Sequence, residues 1–312
     1  MALGRAVLPV DRLVAGYNLL LAAVWSVILL RTPYAPWICA AHLAAAGLPW
    51  LLERAKDRLT RAGRALREIY PLLLLLAFWS ELGFIRELLH AGANDAPIAA
   101  LDLALFGVHV NAVWMPRMPS LWLSEVMHFV YFAYYPLIFV PPLVMGLAGR
   151  TAALRDMTLR LLVTYIGCYL FYIFFPVDGP SHTMVGYAGA LTDGFFYRLA
   201  HGAVHLGDSM GTAFPSSHVA GAVTIAYLGW RWCRPAVAAL LAIEAAGVGL
   251  ATVYTQNHFA IDSVAGVALA LVLQAVVTLA LARALAPTRP VPILPSFDPV
   301  PLFARATTGG AV

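Results

Sequence analysis

Gly211-Thr212-Ala213-Phe214-Pro215-Ser216-Ser217-His218 stands between a loop containing Gly and Asp and an apolar run that begins at Val219. Pro215 is preset to precede a helix, and Ser216 or Ser217 can accept from the first-turn N–H groups, which have no partner inside a helix. Further on, Tyr254-Thr255-Gln256-Asn257-His258-Phe259-Ala260-Ile261-Asp262 has the same layout, a short polar stretch running into an apolar segment. Each stretch reads as the mouth of a helix. What surrounds those helices, water or lipid, decides the fold.

Composition answers that. The 312 residues are 61% hydrophobic and 12% charged, with a mean hydropathy of +0.78, whereas soluble domains carry roughly 25% charged residues. Such a chain cannot present a wetted surface, so the expected fold is an all-α integral membrane protein. A span needs about 20 mostly apolar residues. Eight stretches qualify: 12–31, 35–53, 69–90, 119–147, 157–177, 216–232, 235–255 and 258–284. The first reads as a retained span rather than a cleaved signal, because its apolar run exceeds a usual signal core and a second run follows almost at once. The first two form a hairpin that, with its basic loop, makes a unit over 1–68. Residues 286–312 are Pro-rich and read as an extended or disordered tail.

Arginine placement orients the spans, since short cytoplasmic loops carry excess Lys and Arg. Arg5 and Arg12, the run Arg54, Lys56, Arg58, Arg61, Arg64 and Arg67, then Arg150, Arg155, Arg231, Arg234, Arg283, Arg289 and Arg305 all fall on one side. The other side has only Arg31, Arg117 and Arg198 in its loops. Both termini are therefore expected inside, and loops 178–215 and 255–257 outside. This puts His218 and His258 at one outer face, periplasmic for a bacterial inner membrane or lumenal in a eukaryote. The net charge of +4 follows this topology and is no sign of nucleic-acid binding. The loop 54–67 is explained by topology, although its roughly helical Arg spacing also suits anionic headgroups. Cys39, Cys168 and Cys233 read as core-filling thiols, and no zinc-like Cys/His spacing is present.

His258 and Asp262 are spaced i, i+4 and share a helix face. The carboxylate can fix one imidazole nitrogen and leave the other basic; alone, the pair reads equally as a polar helix cap. His218 at the same face shifts that balance, because the N–H groups around Ser216–His218 suit an anion such as phosphate.

The two stretches resemble the second and third signature motifs of the type 2 phosphatidic acid phosphatase superfamily, Pro-Ser-Gly-His and Ser-Arg-x5-His-x3-Asp. Pro215, Ser216 and His218 match the first, with Ser217 in place of Gly; His258 and Asp262 match the second. The resemblance implies a six-helix catalytic core, here 69–285, and a phosphohistidine mechanism. His258 would attack phosphorus, Asp262 would orient it, and His218 would protonate the leaving oxygen, with no metal or cofactor. The implied partners are membrane lipids: a lipid phosphate or phospholipid donor, and water or a lipid alcohol as acceptor. No oligomeric state is read from the sequence.

The chain departs from the family where basic residues are expected. Thr252 stands at the Arg of the third motif, and the first motif, Lys-x6-Arg-Pro, is absent; Lys56, the only lysine, lies on the inner side. In its place stands Phe175-Pro176-Val177-Asp178-Gly179-Pro180-Ser181-His182. This looks more like the branch of fungal inositol phosphorylceramide synthases, with sphingomyelin synthases more distant; these transfer a phosphorylated headgroup between lipids. Substitute phosphate donors are Ser216, Ser217, His182 and Arg198, with Arg160 nearer the inner side. In the fourth span Glu125 and His128, at i, i+3, are expected to pair, and Tyr131, Tyr134 and Tyr135 either line a groove or pack. Glu81, Arg86, Glu87 and Glu244 are ambiguous. Asp102 with Leu105-Phe106-Gly107 reads as a short interfacial segment before Pro116, a lid at the outer surface. Two other classes remain beside the enzyme: a transporter using His218, His258 and Asp262 as a proton relay, and an inactive lipid-binding relative.

Overall fold

The structure, a computed structural model, describes residues 8–285; the Pro-rich tail and Arg5 lie outside the described residues. Helices α1 (Pro9–Val27), α2 (Ala35–Ala55) and α3 (Arg61–Leu89) are followed by the short α4 (Asp95–Phe106) and α5 (Val110–Arg117). Then come α6 (Leu121–Leu147), α7 (Thr151–Phe174), the single turn α8 (Pro180–Thr183), α9 (Phe195–Gly207), α10 (Ser217–Trp232), α11 (Pro235–Tyr254) and α12 (Ala260–Leu285). Helix starts follow their capping residues: the side chains of Thr60, Ser120 and Ser216 accept first-turn N–H groups of α3, α6 and α10, and Pro235 sits in the first turn of α11. No strand forms among the described residues.

All eight expected stretches are helical, and fewer than eight of them pass as crossings by length and composition alone. Among the described residues six helices, α1, α2, α6, α7, α11 and α12, are long and apolar enough to cross a membrane. A seventh crossing results if α4 and α5, which meet at 57°, are one broken span. Helix α10 has only 16 residues, fewer than the about 20 a span requires, because the chain turns extended at Cys233 and Pro235 starts the next helix.

Helix α7 is the axis of the bundle, with 67% of its apolar window buried. Its Tyr165, Tyr169 and Tyr172 pack with Leu75 and Leu82 of α3, Trp25 of α1 and Ile225 of α10 in the largest core cluster. Several charged groups inside this layer are paired, as lipid surroundings demand. Glu81 accepts from Trp25 Nε1 at 2.7 Å and meets His42 Nε2 at 2.9 Å. Asp11 pairs with Arg67 and accepts from the Tyr70 hydroxyl. Glu81 is thus a structural tie between α1, α2 and α3.

Candidate active site

The loop before α10 is shaped for close packing. Gly211 has φ of +85°, and a Cβ there would sit 2.7 Å from the Arg86 side chain, so a larger residue is excluded twice over. A short parallel ladder joins this loop to the one after α7: Val177 N–H donates to the Gly211 carbonyl (3.2 Å) and Ala213 N–H to the Val177 carbonyl (2.9 Å). The Tyr172 hydroxyl donates to the Pro215 carbonyl at 2.7 Å and accepts from the Ser217 N–H at 3.1 Å.

The start of α12 is held against the start of α10. Ser216 N–H donates to the Asp262 carbonyl at 3.0 Å. Gly266 permits this contact, because a Cβ there would lie 2.6 Å from the Ser216 carbonyl oxygen. Buried Asp102 of α4 accepts the Ile261 N–H at 3.1 Å, and the Thr252 carbonyl accepts the His258 N–H at 3.1 Å. The segment expected as an outer lid therefore contributes a carboxylate that anchors α12.

These ties bring the three residues singled out in the sequence together. His258 Nδ1 faces Asp262 Oδ2 at 3.4 Å, and the same oxygen accepts the Phe259 N–H at 2.9 Å. Asp262 Oδ1 is buried without a hydrogen-bond partner among the described residues. The His258 and His218 rings lie 5.8 Å apart at 66°. His218 is enclosed by α6: its Nε2 is 3.2 Å from the Tyr131 hydroxyl and 3.5 Å from that of Tyr135, and the Tyr131 ring stacks on it at 5.0 Å. Its Nδ1 is buried and has no partner among the described residues.

Both histidines line a cavity of about 230 Å³. The polar end holds Asp178, Ser217 and Asp208; the other end is apolar, with Leu75, Leu76 and Trp79 of α3 opposite Ile138 and Phe139 of α6. Leu76 is 60% exposed, so the apolar end reaches the lipid-facing surface between α3 and α6. Tyr131, Tyr134 and Tyr135 all line the cavity.

The substitute phosphate donors fare unevenly. Ser216 is fully buried and its hydroxyl caps Val219 N–H at 3.4 Å. With Ser216 N–H given to Asp262 and Ser217 N–H to Tyr172, the first turn of α10 keeps only the His218 N–H without a partner among the described residues. Ser217 does line the cavity. His182 does not line it but stands 2.9 Å from Oδ2 of Asp208, which does. That hydrogen bond raises the His182 pKa above the ordinary 6.5 despite partial burial. Burial pushes Asp208 up, but the bond from His182 and its charge prevail and leave Asp208 below 3.8. Arg198 is exposed on α9 and lines neither this cavity nor its neighbour. Arg160 is bound by Asp156 (2.9 Å), Gln274 and Thr278, away from the cavity lining. Thr252 Oγ1 meets Ser263 Oγ at 3.0 Å, so the family's Arg position is spent on helix packing.

Two expectations need correction or completion. Glu125 does not pair with His128: it accepts the Phe196 and Tyr197 N–H groups at 3.1–3.2 Å and caps α9, while His128 Nδ1 faces the Ser124 carbonyl at 2.7 Å. A helix N-terminus attracts a carboxylate more strongly than a neutral imidazole does. Arg86, which does not itself line the cavity, grips the lining residue Asp178 through Nε (3.0 Å) and Nη2 (2.5 Å). The sequence carried a signal for this pair: a charge on an apolar span must find a partner, and Asp178 lies at the same expected end.

Searches of curated proteins and of solved structures gave no match. A family model described as the PAP2 superfamily matches residues 96–276, which takes in α4 through most of α12 and both histidine motifs. The match spans more than half of the chain, and with the all-helical membrane fold it shows that this protein belongs to the PAP2 superfamily, whose members are phosphoesterases of the lipid phosphatase and phosphotransferase type.

Proposed function

We propose that the chain cleaves a lipid phosphodiester through a phosphohistidine at His258 and passes the phosphoryl-bearing group to water or to another alcohol. Nδ1 of His258 faces Asp262, which leaves Nε2 as the nucleophile. His218, enclosed by tyrosines and with Nδ1 unpartnered, is the acid that protonates the leaving oxygen and then the base that activates the acceptor. The apolar end between α3 and α6 receives the acyl chains, and the His218 N–H and Ser217 bind phosphate oxygens.

The charge of the cavity carries the choice of a diester. Among the described residues no Lys or Arg lines it, while Asp178 and Asp208 do. Their partners, Arg86 and His182, neutralise them and leave little surplus positive charge. Desolvation cost grows with the square of charge, so a phosphomonoester dianion costs roughly four times what a phosphodiester monoanion does in such a site. This supports headgroup transfer of the kind implied by the resemblance to inositol phosphorylceramide synthases over ordinary phosphatidate hydrolysis.

The test compares phosphatidic acid with phosphatidylglycerol in vesicles containing the purified chain. Diester cleavage at least tenfold faster than monoester cleavage is expected. A preference for the monoester contradicts the substrate assignment, and unchanged turnover in His258→Ala contradicts the mechanism.

A further inference from the structure

Beside the first cavity lies a second of about 340 Å³, within the roughly 300–1,000 Å³ of small-molecule sites. Ser181, Val204, Asp208 and Asn257 line both, so the two spaces meet next to His258. The lining of the second is different in kind. Where the first offers tyrosines and leucines, this one offers the amides of Asn111, Gln256 and Asn257 and the imidazoles of His182, His201 and His205.

Two of these side chains carry unanswered hydrogen-bonding capacity. Asn111 is 1% exposed, and its Oδ1 is buried without a partner among the described residues; so is His201 Nε2. Buried polar atoms are normally paired, and two residues that line one cavity from separate helices, each with an orphan polar atom, leave capacity that a ligand with hydrogen-bonding groups would answer. The floor is held rigidly. Gln256 has φ of +63°, a left-handed conformation that non-glycine residues adopt uncommonly and that its surroundings must hold in place. Its side chain accepts the Tyr187 N–H (2.7 Å) and donates to the Asn111 carbonyl (3.1 Å).

The cavity is also close to electrically neutral. Among the described residues it has no Lys or Arg, and Asp208, its only carboxylate, is paired with His182. Burial, reinforced by His128 and His205, pulls His201 down to about 4, so it is uncharged at neutral pH. A second phosphate or a cationic headgroup finds no counter-charge here. Hydroxyl groups, which both donate and accept, match amides and neutral imidazoles.

We infer that the second cavity binds an uncharged polyhydroxylated alcohol and presents one of its hydroxyls to phosphorus on His258. This rests on the phosphotransfer reading and specifies its acceptor side. In the step, the alcohol oxygen–phosphorus bond forms as the bond from phosphorus to His258 Nε2 breaks. The hydroxyl proton goes to His218, which gave up a proton to the first leaving oxygen, so the enzyme returns to its starting state.

The experiment uses the full chain in lipid nanodiscs with bis(4-nitrophenyl) phosphate as donor and glycerol or myo-inositol as the added alcohol. Nitrophenol release reports the first half-reaction. The partition of the second, between 4-nitrophenyl phosphate and the 4-nitrophenyl phosphodiester of the polyol, is read in the same tube by mass spectrometry. That ratio does not depend on how much protein is folded. It is expected to saturate with polyol and to fall tenfold or more in Asn111→Leu and in His201→Leu. A ratio that rises linearly without saturation, or that both variants leave unchanged, overturns the proposal. Absence of nitrophenol release from the unaltered chain instead sinks the phosphotransfer reading, and the role of the cavity falls with it. A parallel arm with phosphatidylglycerol and phosphatidylethanolamine vesicles tells the source of the hydroxyls. Loss of a glycerol-headgroup preference in the same variants assigns the cavity to the donor's headgroup, and loss confined to free polyol assigns it to a soluble acceptor.

Discussion

Ser216 N–H donates to the Asp262 carbonyl at 3.0 Å, tying the residue that opens α10 to one in the first turn of α12. Through this bond the two histidine motifs, far apart in sequence, share one geometry. The 5.8 Å separation of the His218 and His258 rings is therefore set by backbone contact rather than by the flexible side chains themselves.

Gly266 is the residue on which that contact depends. Gly266→Ala places a methyl group 2.6 Å from the Ser216 carbonyl oxygen, and the two helix starts must move apart. A loss of about 1–3 kcal/mol in stability is expected, with a larger proportional loss of turnover. Thermal unfolding and phosphodiester cleavage measure the two. Gly249→Ala, which meets nothing within 4 Å, is the control and leaves both close to the unaltered values.

Asp262→Asn keeps the shape but removes the charge that orients His258. Turnover should fall by roughly 10²–10⁴-fold with little change in lipid binding. Parallel losses of binding and turnover would instead assign Asp262 to packing.

Arg86→Met leaves Asp178 unpaired beside the phosphate site. The pair is only 17% and 10% exposed, so a cost of about 3 kcal/mol, the low end for buried pairs, is expected in denaturation. Arg86→Met combined with Asp178→Asn should recover most of it. If the double variant is no better than the single one, the arginine acts by packing alone.

The His182–Asp208 pair gives a pH signature. His182 is raised above 6.5 and Asp208 is lowered below 3.8. The histidine contribution is complete below 6.5 and disappears as pH climbs through the raised folded value. The aspartate contribution is complete above 3.8 and disappears as pH falls through the lowered folded value. The pair is thus intact through mildly acidic pH and opens on the alkaline side of an ordinary histidine. Histidine-labelled NMR should show His182 titrating late, and Asp208→Asn should return it toward 6.5.

Much of this site could be read before its structure was known. Hydropathy located every long helix, and His218, His258 and Asp262 came together as their motifs and loop charges implied. What sequence could not supply was how each polar group is used. Ser216 reads as a phosphate donor, yet its hydroxyl caps α10 and its N–H joins α10 to α12. Glu125 reads as the partner of His128 because they are neighbours on a helix, but the open N–H groups of α9, remote in sequence, attract it more strongly. Arg86 of α3 likewise meets Asp178 in the loop after α7, and no helical periodicity announces the pair. Asn111 and His201 carried no local signal at all, since a cavity is defined by what several loops leave unfilled.

The central claim is a covalent phosphohistidine at His258. The direct measurement is mass spectrometry of peptides containing Asn257-His258, taken from the chain quenched in base during turnover of bis(4-nitrophenyl) phosphate. A nitrophenyl-phosphoryl group on His258, labile to acid and accumulating in His218→Ala when the acceptor step is slowed, is the predicted result. Full turnover with no phosphoryl group on His258, or with the group on another residue, would contradict it.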